Sequence, residues 1–132
     1  MSIVTRGLTA AAFALVLSAT PTLAEEESFF THLHAEKAMA NVTVSPGRAC
    51  PVEIEIQIED ANEAPLAADA VSVTLTNAEN GIAAVTVNAR RVDHDRWMAR
   101  MWAPRVGRWS LALAITISAT DTVNVESPIL LR

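Results

Sequence analysis

From Phe29 onward, apolar and polar residues alternate with a period close to two, the spacing that turns one face of a β-strand to a core and the other to water. The clearest stretch is 51–59, where Val52, Ile54, Ile56 and Ile58 alternate with Glu53, Glu55, Gln57 and Glu59. Burying four such aliphatic side chains at about 1.5–3 kcal/mol each makes this strand a main source of stability. Val71, Val73 and Leu75 repeat the pattern against Ser72, Thr74 and Thr76, and Asn77-Ala78-Glu79-Asn80-Gly81 supplies a turn. A weaker strand spans 84–92 and is closed by Asp93-His94-Asp95, after which Trp97 opens another. Pro104 and Gly107 then make a corner into Trp109, Leu111, Leu113, Ile115 and Ile117, which alternate with small or hydroxylated residues. The last strand, about 122–131, contains Pro128, which suits an edge position or a bulge.

The segments 29–34, 40–45, 52–59, 70–76, 84–92, 96–102, 109–118 and 122–131 amount to seven or eight short strands with turn signals between them. That arrangement predicts an all-β fold, an antiparallel sandwich of immunoglobulin-like type, with Trp97 and Trp109 in its core. Between two of these strands, 61–70 is the one stretch with room for a helical turn, and Pro65 at its middle favours a loop. Ahead of the strands lies a different pattern: Arg6, an apolar run over 8–19, then Thr20-Pro21-Thr22-Leu23-Ala24. A basic residue, a short apolar run and a small residue after a helix breaker predict a secretory signal peptide over 1–24, too short to span a bilayer. Cleavage after Ala24 leaves a single periplasmic domain, 25–132, with no stable membrane anchor.

The chain has 10 basic and 15 acidic residues, and loss of the signal removes only Arg6 from that balance. An acidic field argues against nucleic acid or an anionic membrane as partner. Cys50 is the only cysteine, so no internal disulfide forms, and a buried, inert thiol is its simplest role. Neither a phosphate-binding glycine loop, nor a nucleophile elbow, nor a helix with paired metal ligands is present, so no enzymatic activity is expected. The glutamates of 52–59 alternate outward, as on the wet side of a strand. Asn41-Val42-Thr43 matches a glycosylation sequon, a short and unspecific motif.

What stands out chemically is His32-Leu33-His34, with Met39 five positions after the second histidine. Residues two apart on a strand share a face at roughly 6.5–7 Å, close enough for two imidazoles to turn toward one ion. Neutral imidazole suits copper or zinc, and a thioether from Met39 favours Cu(I). The same spacing also fits two exposed polar residues on an edge strand, and spacing alone leaves both readings open. Met98 and Met101 have opposite strand parity, so at most one of them joins such a site, and core filling is the simpler role for the pair. His94, between two aspartates, reads as a turn residue.

The run His32-Leu33-His34-Ala35-Glu36-Lys37-Ala38-Met39-Ala40-Asn41-Val42-Thr43-Val44-Ser45-Pro46-Gly47-Arg48-Ala49 resembles the opening of the extracytoplasmic C-terminal domain of CopD-type copper transport proteins, to which YtkA-like domains are related. In those domains an H-x-H segment leads into a KAMA-V-SPGRAG stretch, followed later by a short GI turn and a proline–GRW corner. Asn80-Gly81-Ile82 and Pro104-Arg105-Val106-Gly107-Arg108-Trp109 are similar to those two features, and the likeness extends over roughly residues 30–125. It implies an immunoglobulin-like sandwich that handles copper, with His32, His34 and Met39 as the metal ligands and a membrane copper transporter as a partner. Cys50 stands where the family has glycine. The family domain hangs from a membrane-embedded transporter, whereas here a signal peptide precedes it, which implies a free-standing copper-binding or copper-delivery protein. The contrasting expectation is a metal-free interaction module that docks on a membrane partner through the edge of 29–34 or of the Pro128 strand.

Overall fold

Alternation along the chain is converted into nine strands: β1 (Phe29–His34), β2 (Met39–Ser45), β3 (Cys50–Glu59), β4 (Ala70–Asn77), β5 (Ile82–Asn88), β6 (Arg90–Asp93), β7 (Arg96–Ala103), β8 (Gly107–Ser118) and β9 (Asp121–Leu131). They are seen in a computed structural model that describes residues 28–48 and 50–132. The expected signal peptide, the expected domain start at residue 25 and the side chain of Cys50 lie outside the described residues. Among those residues, no helix is long and apolar enough to cross a membrane.

Two antiparallel sheets result, one in the order β1-β2-β3-β7-β6 and the other β5-β4-β8-β9. The order β2-β3-β7-β6 facing β4-β8-β9 is that of strands A-B-E-D facing C-F-G in an immunoglobulin sandwich, with β5 as an added strand beside C. The expected antiparallel sandwich is therefore present. β1 is surplus to that pattern: it lies on the outer side of β2, joined to it by a hairpin whose Ala35 N–H donates to the Ala38 carbonyl at 3.0 Å.

The core fills the space between the sheets. Val42, Val44, Ile54, Ile56 and Ile58 enter from one side, and Val71, Val73, Leu111, Leu113 and Ile115 from the other, all buried. Trp97 and Trp109 are buried among them, as expected. The Trp109 indole N–H donates to the Arg105 carbonyl at 3.0 Å and so holds the Pro104–Gly107 corner against β8.

The segment 84–92 is not one strand but parts of two. β5 pairs with β4 in the second sheet, and β6 pairs with β7 in the first. The chain changes sheets at Ala89, whose N–H still donates to Val71 O at 2.8 Å. Alternation has the same period in either sheet, so periodicity carries no mark of the change of partner.

Two loop readings and one strand-edge reading hold. Pro65 sits in an irregular segment, where it bridges to Glu59 and the Asp60 carboxylate accepts from the N–H groups of Asn62 and Ala64 at 2.8 and 3.0 Å. At 77–81 a single 3-10 turn forms, with Asn77 Oδ1 accepting from the Asn80 N–H at 3.2 Å and Gly81 closing it at φ 69°. Pro128 lies on β9, the edge of the second sheet. That edge runs beside β1: Thr31 Oγ1 and Ser127 Oγ are 3.3 Å apart, and Lys37 Nζ lies 3.2 Å from the Asp121 carboxylate.

Candidate metal centre

Leu33 is drawn into the core, and strand parity then turns its two neighbours outward. His32 and His34 accordingly stand exposed on the same face of β1, their ring centroids 5.9 Å apart and their planes at 52°. Ring nitrogens sit about 2.0–2.1 Å from a bound metal and roughly 1.1 Å from the ring centre, so two imidazoles on one ion have centroids at most about 6.4 Å apart. The observed separation falls inside that limit. A tilted, unstacked pair with water on its outer side is a geometry that fits one ion shared between two nitrogens.

Met39 shares this face. It is the direct cross-strand partner of His34 on one side and of Glu59 on the other, so in register the row runs His34, Met39, Glu59. Its side chain is buried, yet it stands apart from the central cluster formed by the inward residues Ala38, Ala40 and Val42. The three residues singled out in the sequence thus lie at one end of the outer face, the two imidazoles beside one another and the thioether across from the second.

The other candidates separate cleanly. Met101 is buried in the core cluster. Met98 faces outward on β7, in the row of Thr43 and Glu55, three strand spacings from β1 or about 14 Å. His94 is an exposed turn residue whose N–H donates to Asp93 Oδ1 at 2.7 Å. Among the described residues, no group of three or more histidine, cysteine, aspartate or glutamate side chains comes together. The ligand set expected from the sequence is thus two neighbouring imidazoles with a sulfur across from the second.

Behind His32 lies a row of polar side chains that the sequence reading passed over. His32 Nδ1 is 2.7 Å from Asn41 Oδ1, Asn41 Nδ2 donates to Gln57 Oε1 at 3.2 Å, and Gln57 Nε2 donates to Asp95 Oδ2 at 3.0 Å. β1, β2 and β3 contribute one residue each, and the β6–β7 turn contributes the last. Gln57 did carry a signal, as the one uncharged outward residue among Glu53, Glu55 and Glu59. Asn41, with both ends of its amide engaged in mid-strand, is badly placed to carry a glycan.

The flanking surface is charged and shallow. Glu55 pairs with Arg96 at 3.1 Å and Glu53 with Arg100 at 2.8 Å, both pairs exposed. Phe30, Asn41, Thr43, Glu55, Gln57 and Arg96 line a hollow of about 150 Å³ beside the histidine row. A larger hollow of about 440 Å³ belongs to the opposite sheet, where the Ser110 hydroxyl donates to Glu126 Oε2 at 2.6 Å. No histidine lines it, so its serine has no imidazole to relay a proton. The chain matches no known family model, no curated protein and no solved structure.

Proposed function

We propose that this chain is an extracytoplasmic copper-binding or copper-delivery domain without catalytic turnover. His32 and His34 supply imidazole nitrogens, and Met39 supplies a soft sulfur that favours Cu(I). The observation that carries the reading is the 5.9 Å between the two ring centroids on one exposed face. Two exposed imidazoles suit a carrier, because the ion must leave as readily as it arrives. The likeness of 32–49 to the CopD-type opening supplies the choice of copper over zinc, and the signal-like leader supplies the compartment. A membrane copper transporter is then the natural giver or receiver of the ion.

The contrasting reading, a metal-free module docking through a strand edge, has less support. Each of the two edges it could use, β1 or β9, has the other beside it, through the Thr31–Ser127 contact and the Lys37–Asp121 pair at the hairpin turn. The deciding measurement is copper uptake by the purified protein, read by metal analysis and by competition with a chelator of known affinity. Wild-type protein is expected to hold copper, and the His32→Ala/His34→Ala double variant to bind at least about tenfold more weakly, or about 1.4 kcal/mol. Equal uptake by both proteins would remove the histidines from copper binding.

A further inference from the structure

The row His32–Asn41–Gln57–Asp95 has a direction that can be worked out from its far end. Asp95 is anchored by its own backbone, since its carbonyl accepts from the Ile58 N–H at 2.9 Å. Its carboxylate can only accept hydrogen bonds. The Gln57 atom facing it is therefore the amide nitrogen, which turns Gln57 Oε1 toward Asn41. That oxygen also only accepts, so Asn41 meets it with Nδ2 and turns Oδ1 toward His32. Oδ1 is in its turn only an acceptor, and the proton in the 2.7 Å contact must then belong to His32 Nδ1. Each side-chain orientation follows from the one before it, and the imidazole inherits a tautomer from a carboxylate three residues away along the network.

We propose that Asn41, Gln57 and Asp95 are positioning residues that hold neutral His32 as the Nδ1–H tautomer and leave the Nε2 lone pair free for an incoming ion. The identity of that ion rests on the copper reading above, whereas the tautomer does not. A ligating histidine commonly donates its second ring N–H to an acceptor that fixes the ring and raises its basicity. Here that acceptor is in place before any ion arrives, so neither the proton nor the ring has to move when Nε2 is engaged. His34 and His94 lie outside this network and serve as internal references.

The test begins with metal-free, ¹⁵N-labelled protein at alkaline pH, where two-bond ¹H–¹⁵N spectra distinguish the protonated from the bare ring nitrogen of each histidine. His32 is expected as Nδ1–H, while His34 and His94 show the mixture dominated by Nε2–H that imidazole adopts in water. Replacing Gln57→Leu should return His32 to that mixture. Adding Asn41→Asp in the same background should restore the Nδ1–H form, because a carboxylate next to His32 accepts whatever lies behind it. Copper affinity should fall about tenfold in Gln57→Leu, the lower end of the loss usual for such supporting partners, and recover with Asn41→Asp. An Nε2–H majority at His32 in the wild type, or an Nδ1–H form indifferent to Gln57→Leu, would overturn the proposal. A locked His32 in wild-type protein that takes up no copper would uphold the lock and overturn the copper reading alone.

Discussion

His34 and Met39 stand directly opposite one another at the closed end of the β1–β2 hairpin, the histidine exposed and the methionine only 4 % accessible. Opposed residues of an antiparallel pair have Cβ atoms about 4.5–5.5 Å apart and point to the same side of the sheet. The sulfur therefore belongs to the histidine patch by register, although water barely reaches it. An unbranched, flexible thioether in this position is both a packing element and a soft donor, and the two roles separate on substitution.

Met39→Leu keeps the volume and removes the sulfur. Unfolding stability is expected to change by less than about 1.5 kcal/mol, as for other volume-conserving swaps. Cu(I) affinity should fall, while Cu(II), which imidazole nitrogens hold without help from sulfur, should bind as before. Denaturant titration alongside chelator competition in each oxidation state checks both halves. Unchanged Cu(I) affinity would reduce Met39 to packing alone.

Gly107 opens β8 at φ 117°, a conformation that L side chains rarely adopt, although a methyl group there would meet no atom within 4 Å. Gly107→Ala is accordingly expected to destabilise through the backbone alone, by about 1–3 kcal/mol. Gly81, at φ 69°, lies in the left-handed region that asparagine tolerates. Gly81→Asn should then cost clearly less than Gly107→Ala in the same denaturant titration. The reverse order would mean that the corner before Trp109 relaxes to a different backbone.

The strands were legible because their inward residues are aliphatic and their outward residues charged or hydroxylated, most plainly from Val52 to Glu59. The histidine pair was legible for the same reason, since Leu33 between the two rings declares which way they point. What alternation does not encode is partnership. Nothing in the run Val85-Thr86-Val87-Asn88-Ala89-Arg90-Arg91 announces that the chain leaves one sheet for the other at Ala89, because both sheets demand the same period. The Asn41–Gln57–Asp95 row escaped notice on similar grounds: its members lie 16 and 38 residues apart and meet only once β2, β3 and the β6–β7 turn are in register. Met39 illustrates the converse. Its place in the sequence suggests a soft ligand, whereas its burial on the outward face of β2 has no counterpart in the alternation.

Arg91 is where the sheet change is secured. It lies directly opposite Trp97 on the edge strand β6 and faces the same way, so a charged side chain points toward the sandwich rather than away from it. Its guanidinium stacks 4.6 Å from the centre of the Trp97 ring, and its nitrogens donate to the carbonyls of Ala68 and, at 3.1 Å, His94. An inward charge at a sheet edge also discourages a further strand from pairing there. Arg91→Ala removes the stacking and both charge-assisted hydrogen bonds, and is expected to cost about 1–3 kcal/mol. Arg91→Lys keeps the charge but loses the planar fork that reaches two carbonyls while lying flat on the indole, so it should recover only part of the loss. The indoles offer an independent readout: of the protein's 3 tryptophans, Trp102 is 64 % exposed while Trp97 and Trp109 are buried. Acrylamide should quench one indole in the wild type and a second in Arg91→Ala. Unchanged quenching together with unchanged stability would show that Ala89 turns the chain without help from Arg91.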